Sequence, residues 1–130
     1  MSARIDMLGL FVTDMRQMVS FYRDVLGFKC NWQEGPYAEF ENDGVRFSFY
    51  ERKRLPKILA HPVTFPNGVN GTFEIALEMP HPEDVDKEHR RIVASGALEV
   101  QPPTDWPWNM RSSTVADPDG NLIEISSRNI

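Results

Sequence analysis

Two glutamates are the residues best suited to acid–base chemistry. Glu74 and Glu124 each lie between two large apolar residues. Because successive side chains of a strand point to opposite faces, both are predicted on the face turned away from the core. Two carboxylates that converge in a partly apolar site repel each other, which raises one proton affinity and gives a candidate general base. The alternative is that both are solvated, or are paired with Arg46 or Arg111.

A tryptophan-rich segment just before a predicted strand is a candidate binding loop. Trp106 and Trp108 flank a proline, and Arg111 follows three residues after Trp108. Exposed indoles stack on a flat ligand, and a guanidinium holds a carboxylate or phosphate. The alternative is that the tryptophans fill the core or a subunit interface, which is the favoured interpretation for Trp106.

Other reactive residue types do not form recognisable catalytic motifs. The three histidines, His61, His81 and His89, follow no ligand spacing, and packing or surface exposure is expected for them. The single cysteine, Cys30, forms no internal disulfide and is expected to fill space in the core of a protein from a reducing compartment. The chain also has no nucleophile elbow, phosphate-binding glycine loop or paired-cysteine zinc motif.

Length and charge predict one soluble cytoplasmic domain. A chain of 130 residues is long enough for one hydrophobic core. Its net charge of −5 and scattered basic residues leave no broad positive surface for nucleic acid. Arg4 and Asp6 interrupt any apolar signal-peptide core, and no apolar run approaches the ~20 residues needed to cross a bilayer. Neither nucleic acid nor a membrane is therefore an expected partner.

The first half of the chain predicts one helix followed by a meander of strands. Asp14 is a typical helix N-cap, with Gln17 three residues later, and Gly27 is expected to end the helix in a left-handed conformation. Turn sequences at Gly35-Pro36 and at residues 42–44 separate the later strands. The predicted strands are residues 5–13, 28–33, 37–41 and 45–51.

The second half repeats this order after a proline-rich connector. Pro82, acidic residues in the first turn and a closing Gly96 predict a second helix, with Val85, His89, Ile92 and Ala97 along its inner edge. The predicted strands are residues 72–79, 98–101, 110–116 and 122–127. The chain therefore divides into module one at about 4–52, a connector at about 53–70 and module two at about 71–130.

The repeat can be tested in register. Residues 43–49 can be laid over residues 119–125, an offset of 119 − 43 = 76. Both segments begin with an Asp-Gly turn and continue with apolar residues at matching positions. Ser48 then matches Glu124 on the face turned away from the core. The agreement of turn, face and element order indicates two copies of a βαβββ module.

Three segments resemble the vicinal oxygen chelate superfamily, which includes glyoxalase I, bleomycin-resistance proteins and extradiol dioxygenases. These are LFVTD at 10–14, FYRDVLGF at 21–28 and DPDGNLIEI at 117–125. The resemblance spans nearly the whole chain and implies an α+β fold in which two βαβββ modules form curved mixed sheets around a cavity. It carries little information about the reaction, because the motifs mark turns and helix ends.

The resemblance also implies four positions that hold a divalent metal in family enzymes. Here they are occupied by Met7, Ser48, Glu74 and Glu124. Glu124 matches the family pattern, whereas Met7 and Glu74 replace the usual histidines. A thioether is a soft donor and a serine hydroxyl is a weak one, so a tight zinc or nickel site is not expected. Two carboxylates with waters leave room for a weakly bound divalent cation.

The favoured hypothesis is a small-molecule-binding protein without a tight metal, as in the bleomycin-resistance branch. Phe11, Tyr50, Trp108 and Arg111 are the expected ligand contacts, and Trp32 is added with its strand face left open. The alternative is a metal-dependent glyoxalase I-like lyase or isomerase, of the type that forms lactoylglutathione. It would use Glu124 and Glu74.

A third hypothesis is a protein-interaction module with a filled cavity. Family members commonly dimerise, so the resemblance also implies a homodimer. Whether the chain is an enzyme is left open by the sequence, as is the identity of its ligand.

Overall fold

The α+β architecture consists of two sheets, each packed against one main helix. The structure, a computed structural model, describes residues 2–128, and the chain divides into one unit up to Phe65 and another from Pro66 onward. The first unit contains β1 (Met7–Val12), α1 (Met15–Ser20), β2 (Tyr37–Phe40) and β3 (Arg46–Glu51). The second contains β4 (Asn70–Glu78), α2 (Pro82–Ala94), β5 (Leu98–Trp106), β6 (Met110–Ala116) and β7 (Asn121–Arg128).

The first unit has a three-stranded sheet in the order β1-β3-β2. β1 runs parallel to β3, and β2 runs antiparallel to it. Leu10 and Val12 of β1 are buried, whereas Met7 and Phe11 are 42% and 46% exposed. The side chains of this strand therefore alternate between a buried and an exposed face.

The buried face of this sheet packs on the first helix through an aromatic core. Tyr22, which is fully buried, contacts the rings of Phe28, Phe40, Phe47 and Phe49 at centroid distances of 5.0 to 6.3 Å. The Gln17 amide donates to the Asp14 carboxylate at 3.1 Å, which confirms the predicted N-cap. Gly27 has φ +88°, as expected for the residue that ends the helix.

One prediction for the first unit is wrong, and the predicted helix has an irregular second half. α1 is followed by a π-helical turn at Phe21–Val25 that buries both Phe21 and Tyr22. Residues 28–33 are not a strand, so the sheet has three strands rather than four. The Glu41 amide donates to the Lys29 carbonyl at 3.0 Å, but the Trp32 indole folds back onto the Gly35 carbonyl.

The predicted connector divides between the two units. It begins with a 3-10 helix at Arg52–Lys57 and is otherwise irregular up to residue 69. The Arg52 guanidinium donates to the Phe11 carbonyl at 2.9 Å and lies over the Phe65 ring at 5.0 Å. This part of the connector is therefore held against β1 by the hydrogen bond from Arg52.

The second unit has a four-stranded sheet in the order β4-β7-β6-β5. β4 runs parallel to β7, and the other two pairs are antiparallel. Helix α2 buries Val85, His89 and Ile92 against the sheet, as its apolar spacing predicts. Ile123 and Ile125 of β7 are fully buried, which confirms the predicted core face of that strand.

Strand β5 is longer than predicted. It continues to Trp106 through Pro102 and Pro103, which lack amide hydrogens, and its register with β6 shifts on both sides of Gln101.

Among residues 2–128, no helix combines the length and apolarity required of a transmembrane segment.

The structure supports the internal repeat at the level of strand pairing. Met7 pairs with Arg46 in the first sheet, and Glu74 pairs with Leu122 in the second. Arg46 and Leu122 are separated by the same offset, 122 − 46 = 76, that relates the two Asp-Gly turns. Met7 and Glu74 are therefore equivalent positions of the two units.

Candidate functional site

The two predicted glutamates lie on one face of the second sheet. Glu124 of β7 pairs with Ala76 of β4, and Glu74 pairs with Leu122 on the same face. Helix α2 covers the opposite face, where Ile123 and Ile125 are buried. This helix-free side of the second sheet is called the open face below.

Ser112 lies between Trp106 and Glu124 on the open face. The Trp106 indole N–H donates to Ser112 Oγ at 2.9 Å, and the Ser112 hydroxyl is close enough to Glu124 to influence the pKa of its carboxyl. Ser112 is only 3% exposed, so this hydroxyl is sheltered from water. The open face therefore has a row of polar groups that runs from the indole to the carboxyl.

The electrostatics of Glu124 agree with the sequence-based interpretation of the glutamate pair. Burial raises the pKa of Glu124 above its ordinary value, and the negative charge of Glu74 raises it further. The Ser112 hydroxyl opposes this shift by stabilising the ionised form. A carboxyl in this environment exchanges a proton closer to neutral pH than a solvated glutamate does, as a general acid or base requires.

Two stacked indoles lie at the tryptophan end of this row of polar groups. The rings of Trp106 and Trp108 have a centroid distance of 5.2 Å and an interplanar angle of 8°. Trp106 is half-buried and fixed by its bond to Ser112, whereas Trp108 is 62% exposed. The pair forms a rigid aromatic platform that presents Trp108 to solvent.

The structure does not bring Arg111 to this site. Its guanidinium donates to both carboxylate oxygens of Asp86 in α2, at 2.9 and 3.1 Å, and to Asp105 at 3.0 Å. Arg111 therefore lies on the helix side of the sheet, next to α2. The alternative pairing of Glu124 with Arg111 is likewise not formed, because the guanidinium is held by these aspartates.

His89 also lies on the helix side. It is 4% exposed, and its two ring nitrogens contact Ser113 Oγ at 2.8 Å and Glu99 Oε2 at 2.6 Å. This arrangement has the composition of a serine–histidine–glutamate triad, but Ser113 is fully buried under α2 and out of reach of a substrate. His89 is a packing residue, as expected from its place in the helix.

The predicted aromatic ligand contacts of the first unit are separated by the structure. Phe11 and Tyr50 are paired neighbours on the exposed face of the first sheet. Trp32 lies outside that sheet, where its indole donates to the Gly35 carbonyl and the Arg16 guanidinium lies 5.5 Å from the ring. Phe11 and Tyr50 are thus one surface, and Trp32 belongs to another.

The residues in the four implied metal positions do not fit a tight site. In the first unit the Ser48 hydroxyl donates to the Met7 sulfur at 3.1 Å, so these two weak metal ligands are hydrogen-bonded to each other. In the second unit the two positions supply only the carboxylates of Glu74 and Glu124, and a hard cation held by so few protein ligands keeps several waters and binds weakly. Within residues 2–128, no group of three or more histidine, cysteine, aspartate and glutamate side chains is placed to hold a metal ion.

Ser112 was not among the predicted site residues, although the last hairpin contains a signal for it. The Asp117 to Gly120 turn fixes the register of β6 and β7, so that Thr114 pairs with Glu124 and Ser112 with Ser126. Counting back from the turn therefore places Ser112 on the same face as Glu124. A small hydroxyl beside a predicted acid–base residue is a reasonable candidate hydrogen-bond partner.

Comparisons with known proteins agree with this fold. The family model of the Glyoxalase/Bleomycin resistance protein/Dioxygenase superfamily matches residues 4–125. The uncharacterized protein YraH of Bacillus subtilis (strain 168) is 31% identical over 122 residues, which cover 91% of this chain and 93% of that protein.

Solved structures show the same similarity. A glyoxalase/bleomycin resistance protein/dioxygenase from Nocardioides is 27% identical, with a TM-score of 0.83 over 98% of this chain and 85% of that one. A glyoxalase-related enzyme from Fulvimarina pelagi is 21% identical, with a TM-score of 0.84 over 96% of this chain and 88% of that one. The second likeness concerns the fold alone.

Proposed function

Because the chain belongs to the Glyoxalase/Bleomycin resistance protein/Dioxygenase superfamily, we propose that it binds a small planar organic molecule on the open face of its second sheet, without a tightly bound metal. The observation that carries this proposal is the row of side chains that runs from the exposed Trp108 through Trp106 and Ser112 to Glu124. It combines a stacking surface with a sheltered hydrogen-bonding group, as small-molecule sites usually do.

Trp108 supplies the stacking surface. One face of its indole lies against Trp106, and the side chain is 62% exposed, which leaves room for a flat ring on the other face. Because the pair is already stacked and Trp106 is fixed by Ser112, little side-chain freedom is lost when a ligand binds.

Glu124 supplies the polar contact. Its raised pKa makes the protonated form available as a hydrogen-bond donor, and the ionised form accepts from a ligand N–H or O–H group. We therefore expect a ligand that has a flat ring and a polar group that exchanges hydrogen bonds with Glu124.

A ligand screen on metal-free protein tests the proposal. Protein treated with a chelator is mixed with flat heteroaromatic compounds, and the melting temperature and tryptophan fluorescence are recorded. We expect some of these compounds to raise the melting temperature and quench the fluorescence. Trp108→Ala should weaken binding roughly tenfold, about 1.4 kcal/mol, and Trp108→Phe should weaken it less.

Matched controls separate the site from general surface effects. Leu98→Ala removes another exposed apolar side chain of the second sheet and should leave affinity unchanged. Glu124→Gln should alter the pH dependence of binding, whereas Glu83→Gln, at an exposed glutamate of α2, should not. Stoichiometric zinc, nickel or manganese in native protein would contradict the proposal.

A proton-transferring lyase or isomerase is the second candidate. The proximity of Glu74 to Glu124 favours it, because their repulsion tunes Glu124 toward acid–base chemistry. The assay is lactoylglutathione formation from methylglyoxal and glutathione, with and without added divalent metal. Metal-dependent turnover that is lost in Glu124→Gln would support the enzyme, and absence of turnover at saturating metal would count against it.

We also propose that the chain acts as a cytosolic homodimer. The exposed apolar residues Ile58, Leu59, Val63 and Val69 and the single cysteine support this proposal. Analytical ultracentrifugation tests the assembly state, and a monomer at micromolar concentration would reject the dimer.

A further inference from the structure

Two Asn-Gly dipeptides lie close together where the connector meets β4. They are Asn67-Gly68 and Asn70-Gly71. Glycine has no side chain to shield its backbone nitrogen, so this nitrogen can attack the carboxamide of the asparagine before it. Because the two dipeptides have the same covalent structure, their surroundings in the fold decide which of them reacts.

The Asn70 carboxamide is held by hydrogen bonds. Its Nδ2 donates to the carbonyls of Gly68 at 3.2 Å and Gly120 at 3.3 Å. Its Oδ1 accepts from the backbone amide of Thr72 at 3.4 Å, and the side chain is half-buried. The carboxamide cannot turn toward the Gly71 nitrogen without breaking these bonds.

The surroundings of Asn67 are different. Asn67 and Gly68 are both exposed, and both lie outside the helices and strands. In the part of the chain that the structure describes, neither the Asn67 carboxamide nor the Gly68 amide N–H forms a hydrogen bond. The side chain is therefore able to rotate onto the Gly68 nitrogen, and hydroxide from the solvent reaches its proton.

We propose that Asn67 is a site of spontaneous modification, at which the backbone nitrogen of Gly68 displaces the side-chain amide. The nitrogen loses its proton to hydroxide and forms a bond to Asn67 Cγ, and the bond from Cγ to Nδ2 breaks. Nδ2 leaves as ammonia after it takes up a proton from water, and a cyclic imide remains. Because the nitrogen must first lose its proton, the reaction becomes faster as pH rises.

The product changes the backbone next to a close contact. Water opens the imide at either carbonyl, which gives aspartate or isoaspartate, and isoaspartate lengthens the main chain by one methylene. Gly68 follows directly, and its carbonyl oxygen would lie only 2.0 Å from a Cβ on Gly120. Since packed backbone atoms have little room to move, a longer chain before Gly68 disturbs this contact. The modification therefore weakens the packing of the connector on the turn before β7.

Mass spectrometry of the aged full chain tests the site. Folded protein is kept at body temperature in mildly alkaline buffer, and the tryptic peptide 58–87, which contains both asparagines, is sequenced by fragmentation. We expect Asn67 to be converted at least about tenfold faster than Asn70, because three hydrogen bonds of Asn70 must break before the attack. In guanidinium chloride, where the fold is lost, the two should be converted at similar rates. Equal rates in the folded chain, or no conversion of Asn67, would overturn the proposal.

Two variants separate the modification from its effect on the fold. Asn67→Gln keeps a carboxamide but would have to form a larger ring, so it should accumulate no acid at this position. Asn67→Asp introduces the charge without lengthening the backbone. We expect aged wild type to melt at a lower temperature than fresh protein, whereas aged Asn67→Gln and fresh Asn67→Asp should melt like fresh wild type.

Two outcomes of the melting experiment would count against this effect. If aged Asn67→Gln loses as much stability as aged wild type, another site is responsible for the loss. If wild type melts unchanged although Asn67 has been converted, the packing on Gly120 does not depend on the length of the backbone before Gly68.

Discussion

Gly44 and Gly120 have the same left-handed backbone conformation, with φ of +85° at each, but their surroundings differ. They are equivalent residues of the two Asp-Gly turns. A Cβ on Gly44 would meet nothing within 4 Å, whereas one on Gly120 would lie 2.0 Å from the carbonyl oxygen of Gly68 and 2.8 Å from the amide nitrogen of Val69. The second turn therefore requires glycine for space as well as for conformation.

This difference predicts unequal costs for the same substitution. Gly44→Ala should lower the free energy of unfolding by about 1 to 2 kcal/mol, the cost of a left-handed alanine. Gly120→Ala should cost several kcal/mol, because backbone atoms of the Gly68 loop must move. Urea unfolding of both variants measures the difference. Equal losses of unfolding free energy would contradict the prediction, because they would show that the Gly68 loop moves without cost.

His89 should be important for stability. His89→Ala removes a buried ring and leaves the fully buried Ser113 hydroxyl without this partner, so we expect a loss of about 2 to 4 kcal/mol. His61→Ala, at an exposed histidine, should change stability by less than about 0.5 kcal/mol.

A double-mutant cycle with Ser113→Ala isolates the contact. Removal of both partners should cost less than the sum of the single losses, by about 1 kcal/mol. Strict additivity in urea unfolding would mean that the hydrogen bond between His89 and Ser113 contributes nothing.

The raised pKa of Glu124 predicts a pH-dependent stability difference. Folding favours the protonated carboxyl, so this contribution is complete below the ordinary glutamate pKa and is lost as pH rises through the higher folded value. Glu124→Gln stays neutral at every pH. The variant should therefore match the wild type in acid and become more stable than the wild type toward neutral pH.

Thermal unfolding between acid and neutral pH measures this difference. Glu83→Gln, at an exposed glutamate near the positive end of α2, should show no such gain. A Glu124→Gln variant that is less stable than the wild type at neutral pH would contradict the assigned direction.

The parts of the fold that depend on local pattern could be predicted from sequence. Alternation placed Glu124 opposite Ile123 and Ile125, and turn chemistry placed Gly44 and Gly120, because strand faces and left-handed turns are set by neighbouring residues. The prediction of a strand at residues 28–33 was wrong because the extended sequence pattern there is not matched by strand pairing. The Trp32 side chain instead closes a turn.

The candidate site was only partly predictable for the same reason. Glu124 and Trp108 were named from their residue types and strand positions, but Ser112 depends on the register between β6 and β7 and on the path of β5. Arg111 follows Trp108 closely in sequence, and proximity suggested a shared role. Alternation along β6 instead turns it to the helix side, and its contact with Asp86 depends on how α2 packs on the sheet.

The separation of Arg111 from Trp108 predicts opposite effects of their removal. Arg111→Met breaks the bidentate contact with Asp86, and since the arginine side chain is only 22% exposed we expect a stability loss of about 1 to 2 kcal/mol with unchanged ligand affinity. Trp108→Ala should weaken binding of the planar ligand while stability changes by less than about 1 kcal/mol. Urea unfolding and fluorescence titration on the same preparations measure both quantities. If Arg111→Met weakened ligand binding while stability changed little, the guanidinium would have to leave Asp86 to contact the ligand.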